Sequence, residues 1–285
     1  SGWDLMLNLA ARFDDRVTGL ISGFSPNSKK IHCDIDPSSV NKNVAVDLAV
    51  IGDATKILEA LIAEMKKRKF KPHKTSLDKW WAQIETWRKR DCLRFNQTGS
   101  IIKPQHAIKR LCEMTAERDV YVTTEVGQHQ MWAAQYFDFH LPNRWMTSGG
   151  LGTMGYGLPA ALGVQVAHPG ATVIDIAGEA SFMMNMQELS TLSQYNLPVK
   201  MFIINNEWMG MVRQWQELIH GGRYSESYSA SLPDFARRAD TFNMKGLVGQ
   251  KADDIEDVIT EMLEIPGPVI ADIRVTKDEN CFPMI

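Results

Sequence analysis

One stretch of about thirty residues constrains the fold of this chain more than any other. An apolar strand predicted at 173–177 leads into Gly178-Glu179, a helix is predicted over 185–195, and a second apolar strand at 199–205 leads into Asn205-Asn206. A strand, a helix and a second strand in this order form a right-handed crossover that pairs the two strands in parallel. The chain is therefore predicted to be an α/β protein built on parallel sheets.

The polar residues that end these two strands predict a metal site. Glu179 and Asn206 are 206 − 179 = 27 residues apart, about the length that one crossover needs. Parallel sheets bind ligands at the carboxyl ends of their strands, and carboxylate and amide oxygens suit Mg²⁺. A helix beginning just after Glu179 also offers N–H groups to an anion. Taken alone, each half favours the simpler interpretation, a glutamate in a helix's first turn or an Asn-Asn turn, whereas both together, with one crossover between them, favour the ligand site.

The same alternation of strands and helices divides the chain into two α/β parts. Residues 1–66 contain strands predicted at 4–10 and 29–36 and a helix capped by Asp53, which is typical of the second half of a Rossmann-like domain. Residues 67–100 are predicted to be a linker with a connecting helix over 78–95. Residues 101–285 form the second domain, with further helices predicted at 104–114 and 127–136 and strands at 120–124 and 268–273.

Composition narrows the functional classes. Hydrophobic residues make up 44% and charged residues 23% of the 285 residues, as in ordinary globular proteins. The net charge of −3 provides no field that would attract nucleic acid or anionic lipid. The four cysteines form no CxxC pair, which favours a reduced compartment, the cytoplasm or an organelle matrix. We expect no membrane span, and the start at Ser1-Gly2-Trp3, just ahead of a strand, indicates a start inside a larger protein.

The strand-end pattern resembles a known cofactor signature. In thiamine-diphosphate enzymes, Gly-Asp-Gly or Gly-Asp-Ala is followed by Asn-Asn, as Gly178-Glu179-Ala180 is here by Asn205-Asn206. The similarity extends across nearly the whole chain to the large catalytic subunits of acetohydroxyacid (acetolactate) synthases. The matching segments, in the same order, are 11–19, 125–132, 147–155, 210–215 and Pro283-Met284. The resemblance implies that residues 101–285 bind the pyrophosphate part of thiamine diphosphate.

The resemblance also implies roles for individual residues. Glu179, the Asn206 side chain and the Trp208 carbonyl would hold Mg²⁺. Met154, in a glycine-rich turn, would hold the cofactor in a bent conformation. Without the resemblance, the simplest interpretation of Met154 is a methionine that fills a gap in the core. The remaining cofactor contacts implied are Gly127, Gln128, His129, Gly152, Gly178, Ala180 and Ser181.

A helix after the second metal strand is implied to shape the substrate pocket. Met211 and Trp215 are four residues apart and share a helix face, with Val212 beside them. Their spacing alone is also that of ordinary core packing. By resemblance, Trp215 forms a wall of the pocket that selects the incoming 2-keto acid by size.

The first 66 residues resemble a flavin-binding middle domain. Asp15 and Arg16 are implied to contact FAD. Asp34 and Asp53 follow strand-like segments, where carboxylates hold the polar groups of ribose or adenine in similar folds. Asp34 is equally compatible with a turn residue at a strand end. The resemblance implies that FAD is structural, with no net redox change in the reaction.

The implied reaction is a carboligation. Pyruvate loses CO₂ and the remaining fragment is joined to a second pyruvate or to 2-ketobutyrate, giving 2-acetolactate or 2-aceto-2-hydroxybutyrate. The family's ylide-forming glutamate belongs to an N-terminal pyrimidine-binding domain, and no segment here resembles that domain. The chain alone is therefore expected to be inactive and to need the N-terminal half of the same subunit. A homo-oligomer and a small regulatory subunit are the other partners implied.

One departure from the family keeps alternatives open. The family normally has Asp at the position of Glu179, and glutamate is one methylene longer in a site where Mg²⁺ demands close to ideal geometry. A catalytically silent fragment that binds cofactors is one alternative, and a sister carboligase or pyruvate oxidase is another. Gln214-Trp215 and the segment 153–155 favour acetohydroxyacid synthase over these sister enzymes.

Overall fold

A computed structural model describes residues 3–283, except for the side chain of Arg16. The chain divides into two compact units, one up to Cys92 and one from Leu93 to Phe282. The boundary between them lies inside the stretch predicted to be a linker. Met284, part of the last matching segment, lies outside the described residues.

The first unit is built on a three-stranded parallel sheet in the order β1-β2-β3. The side chain of Asp53 accepts a hydrogen bond from the N–H of Lys56 and so caps the long helix that follows the sheet, as predicted. The elements of this unit are β1 Leu5–Leu9, α1 Asp15–Thr18, β2 Lys29–Asp34, β3 Leu48–Ile51, α2 Ala54–Lys67 and α3 Lys74–Arg88.

The connecting helix lies earlier in the chain than predicted. Helix α3 begins after His73, whose ring nitrogen accepts from the N–H of Ser76. The helix ends at Arg88. Three residues later Asp91 has a φ of +47°, which is incompatible with a right-handed helix. Histidine is not among the usual capping residues, so the sequence pattern did not reveal this helix start.

The second unit is built on a six-stranded sheet in the order β5-β4-β6-β7-β9-β8, with every neighbouring pair parallel. Its strands are β4 Val120–Thr124, β5 Trp145–Thr147, β6 Thr172–Gly178, β7 Lys200–Asn205, β8 Lys245–Gly249 and β9 Val269–Arg274. Its helices are α4 Pro104–Thr115, α5 Gln128–Tyr136, α6 Gly157–Ala167, α7 Glu179–Met184, α8 Leu189–Tyr195, α9 Gly210–Leu218, α10 Phe235–Asp240 and α11 Ile255–Glu264. The predicted α/β fold is thus confirmed.

Both faces of the large sheet are buried. Along β7, Phe202 and Ile204 belong to the core beneath α4, α5 and α11, while Met201 and Ile203 belong to the core beneath α6, α8 and α10. A strand buried on both faces is expected to be apolar at nearly every position, which is why the 199–205 pattern was informative.

The crossover between β6 and β7 differs from the predicted single helix over 185–195. It contains α7, a single 3₁₀ turn and α8. The break lies at Asn185, whose backbone leaves the helical region (φ −130°, ψ 26°) and whose side-chain amide donates to the carbonyl of Gly155 at 2.5 Å. A tertiary contact therefore interrupts the helix.

Within residues 3–283, no helix combines the length and the apolar character that crossing a membrane requires.

Truncation of the central strand should cost much more stability than truncation at the sheet's edge. Phe202→Ala removes a fully buried ring and is expected to lower the free energy of unfolding by about 3–5 kcal/mol. Val248→Ala in edge strand β8, where the side chain is 39% exposed, is the control and should cost about 1 kcal/mol or less. Denaturant titration measures both, and equal losses would contradict the described core.

Candidate functional site

The carboxyl ends of β6 and β7 lie side by side in the middle of the large sheet. The two strands pair in parallel with Gly178 opposite Ile204, so the residues that follow each strand meet at one edge. Glu179 begins α7 directly after β6, and Asn206 follows β7. The structure therefore brings together the two side chains that the sequence singled out.

The Glu179 carboxyl group is buried and incompletely bonded. Its side chain belongs to a residue only 1% exposed, and Oε1 has no hydrogen-bond partner. Burial raises the pKa of this carboxyl group to about 8, against the opposing effect of backbone N–H groups, including those of Asn206 and Trp208. Burying a carboxylate with one oxygen unpaired is costly, so a proton or a cation would stabilise this group.

Asn206 is held in place by hydrogen bonds on both ends of its amide. Its Oδ1 accepts from the N–H of Trp208 at 3.1 Å, and its Nδ2 donates to Oε1 of Gln128 at 3.3 Å. The preceding Asn205 donates to Asp272 at 2.9 Å and so anchors the strand end. Asn206 Oδ1 has a second lone pair beyond the one that accepts from Trp208.

A cleft opens at these strand ends. Twelve of the sequence-predicted site residues line it, and they come from five separate segments of the chain. These residues are Gly127, Gln128, His129, Met154, Gly178, Glu179, Ala180, Ser181, Asn206, Trp208, Met211 and Val212.

The His129 ring is packed between two glycines. A Cβ atom on Gly178 would lie 2.6 Å from Nδ1 of His129, and one on Gly127 would lie 2.9 Å from its Cε1. Burial lowers the pKa of His129 to about 3, although the Glu125 carbonyl has the opposite effect, so the ring is neutral at neutral pH. Its Nε2 is buried without a partner, and a polar ligand in the cleft would satisfy it.

Met154 is presented to the cleft by a turn with unusual backbone geometry. Gly155, the next residue, has a φ of +86°, and a Cβ there would lie 2.7 Å from the Asn185 amide. The N–H of Thr153 donates to Ser148 Oγ at 2.9 Å. Glycine at this position therefore allows both the turn and the close approach of Asn185.

Helix α9 brings only part of its predicted face to the cleft. Met211 and Val212 line the cleft, whereas the half-buried Trp215 does not line it. Gly152, which precedes Met154 in the glycine-rich turn, does not line the cleft either. Gly210, at the start of this helix, is also tightly packed, because a Cβ there would lie 2.0 Å from Oε1 of Gln128.

Sequence reasoning missed the role of the C-terminal segment. The side chain of Gln128 donates to Gln214 Oε1 at 2.7 Å, and Gln214 in turn binds the backbone of Cys281 through two hydrogen bonds. Arg213 donates to the Glu279 carbonyl at 2.7 Å. The cleft is therefore braced by a segment 67 residues beyond Gln214, and no local pattern indicates that contact.

Clusters of three or more His, Cys, Asp or Glu side chains suited to a metal are absent from the described residues 3–283. A metal at Glu179 and Asn206 would therefore need further ligands from elsewhere. Mg²⁺ commonly completes its shell with phosphate oxygens and water.

In the first unit, two of the predicted flavin contacts already have local partners. Asp34 ends β2 and accepts from the N–H of Asp36 at 2.9 Å, and its other oxygen lies 3.5 Å from the His32 ring. Asp53 accepts from Lys56 at 3.1 Å as the cap of α2. Each carboxylate keeps capacity for further hydrogen bonds.

The other two predicted flavin contacts lie in α1. Asp15 is in the first turn of this helix, which follows β1, and the backbone of Arg16 is in the same turn. The Arg16 side chain lies outside the described part of the chain. The three strands are parallel, so α1 and the two carboxylates that end β2 and follow β3 all lie at the carboxyl edge of the small sheet.

The fold and the cleft define a class of protein. A parallel sheet whose adjacent strand ends offer a carboxylate, an amide oxygen and helix N-termini is suited to a cofactor that carries a diphosphate and a divalent cation.

Comparison with known proteins gives the family. Residues 125–273 match the thiamine pyrophosphate enzyme C-terminal TPP-binding domain, and residues 1–61 match the central domain of the same enzymes. The chain belongs to the thiamine pyrophosphate enzyme family. The two matches confirm the predicted cofactor-binding domain and the middle domain before it.

Individual relatives confirm the resemblance to acetolactate synthase large subunits. The chain is 43% identical over 282 residues to the large subunit from Haemophilus influenzae and 44% identical over 283 residues to that from Porphyra purpurea. It is 43% identical over 284 residues to the isozyme 3 large subunit from Escherichia coli. Each alignment covers 99% of this chain but 47–49% of the relative, so the chain spans about half the length of these proteins.

Adding a methyl group at Gly178 should weaken cofactor binding. In Gly178→Ala, the new Cβ would displace the His129 ring, so we expect roughly tenfold lower affinity for thiamine pyrophosphate with Mg²⁺. Gly170→Ala, where a Cβ meets nothing within 4 Å, is the matched control. Titration calorimetry on the full-length protein gives both affinities, and an unchanged Gly178→Ala variant would argue against His129 as a cleft wall.

Removing the Glu179 carboxylate should weaken Mg²⁺ binding. We expect Glu179→Ala to lose roughly 100-fold in Mg²⁺ affinity, and Glu179→Asp to differ from the parent because its carboxylate is one methylene shorter. Glu207→Ala is the control, since that carboxylate bonds Lys277 and Tyr228 instead. If Glu179→Ala and Glu179→Asp both match the parent in calorimetry, Glu179 is not a ligand.

Proposed function

We propose that this chain provides the C-terminal half of the large subunit of an acetohydroxyacid (acetolactate) synthase. The enzyme would join pyruvate to a second pyruvate or to 2-ketobutyrate with loss of CO₂, in branched-chain amino-acid biosynthesis. The observation that carries the proposal is the buried Glu179 carboxyl group, whose Oε1 has no partner beside the Asn206 turn. The relatives, all acetolactate synthase large subunits, support the choice of reaction.

Mg²⁺ fits the residues at the strand ends. Glu179 would supply a carboxylate oxygen, Asn206 its Oδ1 and Trp208 its backbone carbonyl, which are the hard oxygen ligands that this ion prefers. The cation would neutralise a carboxylate that is otherwise buried without a counter-charge. Diphosphate oxygens would complete the shell.

Thiamine diphosphate fits the cleft above this site. Its diphosphate would meet the N-terminus of α5 and the unpartnered Nε2 of His129. When bound, the cofactor supplies the carbon nucleophile and the electron sink of the reaction. The Met154 side chain, which lines the cleft, would hold the cofactor's two rings in the bent arrangement.

The second 2-keto acid would bind near the start of α9. Met211 and Val212 line the cleft and give this side an apolar wall. We propose that Trp215, one turn further along the same helix, extends the wall and limits the size of the acceptor.

FAD would bind at the carboxyl edge of the small sheet. Asp34 and Asp53 each have one oxygen engaged with a backbone N–H and can still accept from ribose hydroxyls. Asp15 and Arg16 in α1 would add polar contacts at the same edge. The proposed FAD has a structural role.

The complete enzyme would need partners that this chain does not contain. We propose that the N-terminal half of the same subunit supplies the glutamate that activates the cofactor, that subunits associate into a homo-oligomer, and that a small regulatory subunit is a further partner. The half-length coverage of the relatives supports the first of these.

A second candidate function is cofactor binding without turnover. The observation that favours it is Glu179, because its longer side chain changes the position of the one carboxylate ligand. A sister carboligase or a pyruvate oxidase would in turn show a different substrate profile.

Reconstitution distinguishes these functions. The chain combined with an N-terminal half from an acetolactate synthase is expected to form acetolactate from pyruvate, whereas the chain alone should form essentially none, because the activating glutamate is missing. A colorimetric assay for acetolactate, with pyruvate alone and with added 2-ketobutyrate, measures this. Thiamine diphosphate binding without product would favour the silent module, and product from the isolated chain would contradict the proposed division of the site.

A further inference from the structure

Two buried carboxyl groups behind the cleft have no role in the function proposed so far. Glu125 directly follows β4 and Asp175 lies in β6, and both are fully buried. In the β4–β6 register, Thr123 pairs with Asp175. Because side chains alternate along a strand, Glu125 and Asp175 lie on the same face of the sheet, under the start of α6.

Both residues approach Gly157 closely. A Cβ on Gly157, the first residue of α6, would lie 2.3 Å from Oδ1 of Asp175 and 2.8 Å from the backbone nitrogen of Glu125. Burial raises the pKa of Asp175 well above its ordinary value, and the charge of nearby Glu125 raises it further. Two carboxylates so placed cannot both be ionised without water.

Each carboxyl group has one oxygen bonded and one unpartnered. Glu125 Oε1 accepts from the N–H of Leu158 at 3.0 Å, and Asp175 Oδ1 accepts from the Thr123 hydroxyl at 3.1 Å. Glu125 Oε2 and Asp175 Oδ2 are buried and have no partner. One proton between these two oxygens would satisfy both.

The surroundings decide which group keeps the charge. Besides Leu158, the N–H groups of Gly155, Tyr156 and Gly157 lower the pKa of Glu125, although burial raises it more. These N–H groups form the N-terminus of α6, which has no side-chain cap of its own. A helix N-terminus stabilises a negative charge, so it favours ionisation of Glu125 over ionisation of Asp175.

We propose that Asp175 and Glu125 share one proton, which Asp175 donates to Glu125, and that this pair is a positioning device for the turn that carries Met154. The turn residues whose N–H groups face Glu125 follow Met154 directly. Moving or neutralising this carboxylate would release the turn and so move Met154 relative to the cleft. The link to the cofactor rests on the proposed function, whereas the pair itself does not.

The pair predicts opposite behaviour for two similar substitutions. Asp175→Asn keeps a neutral donor toward Glu125 and an acceptor for Thr123, so the turn should stay in place. Glu125→Gln removes the charge at the helix N-terminus and should release the turn. Asp119→Asn is the matched control, because Asp119 pairs with Arg144 at the sheet's other edge.

Hydrogen exchange tests the positioning without any cofactor. In the full-length protein, amide exchange over residues 152–158 should be roughly tenfold faster in Glu125→Gln and unchanged in Asp175→Asn and the control. Calorimetry should then show thiamine diphosphate affinity about tenfold weaker in Glu125→Gln alone. Equal exchange in both variants, or faster exchange in Asp175→Asn alone, would overturn the assignment.

Infrared spectroscopy tests the shared proton directly. The Mg²⁺-loaded wild-type protein at pH 7 should show the carbonyl band of a protonated carboxyl group, and the band should be missing from Asp175→Asn. If either variant fails to fold, the wild-type spectrum alone tests the shared proton. A wild-type spectrum without the carbonyl band of a protonated carboxyl group would overturn the proposal. The band and the exchange pattern test the carboxyl pair, whereas thiamine diphosphate binding tests the proposed function. If the first two are as expected but none of the proteins binds thiamine diphosphate, the proposed function is wrong and the proposed pair is still supported.

Discussion

The parallel pairing of β6 and β7 is the constraint on which the rest of the structure depends. Because the two strands run in the same direction and are hydrogen-bonded neighbours, Glu179 and Asn206 leave the sheet at the same edge. The crossover between them passes over the sheet and buries apolar side chains, so the strand ends cannot separate without exposing the core. A carboxylate and an amide oxygen are therefore held together by the hydrophobic effect, at a distance of 27 residues along the chain.

Buried carboxyl groups at this edge require different forms of compensation. Glu179 opens onto the cleft, where a cation can reach it. Glu125 and Asp175 lie beneath α6 and do not line the cleft, and the N-terminus of the helix together with one proposed proton would compensate their charge. The position of each carboxyl group relative to the cleft therefore determines whether a cation from solvent could compensate its charge.

Closely packed glycines determine the shape of the site at these strand ends. Gly178 allows the His129 ring to lie against the end of β6, Gly210 allows Gln128 to approach α9, and Gly157 allows α6 to begin directly over Asp175. In each case a methyl group would overlap a side chain that belongs to a different element. These glycines therefore allow neighbouring elements to approach closely, and Gly155 and Gly127 also have a positive φ.

The α/β class, the parallel crossover and the residues at its strand ends can be predicted from the amino-acid order, because apolar strands and their polar ends are local patterns of neighbouring residues. The amino-acid order also indicated most of the cleft lining, from Gly127 to Val212, through segments that resemble a known family. Three features become visible only in the folded chain: the break at Asn185, the bracing of Gln214 by the C-terminal segment, and the placement of Glu125 and Asp175 beneath α6. These features depend on contacts between residues 30 to 67 positions apart, and such contacts leave no periodic pattern in the chain.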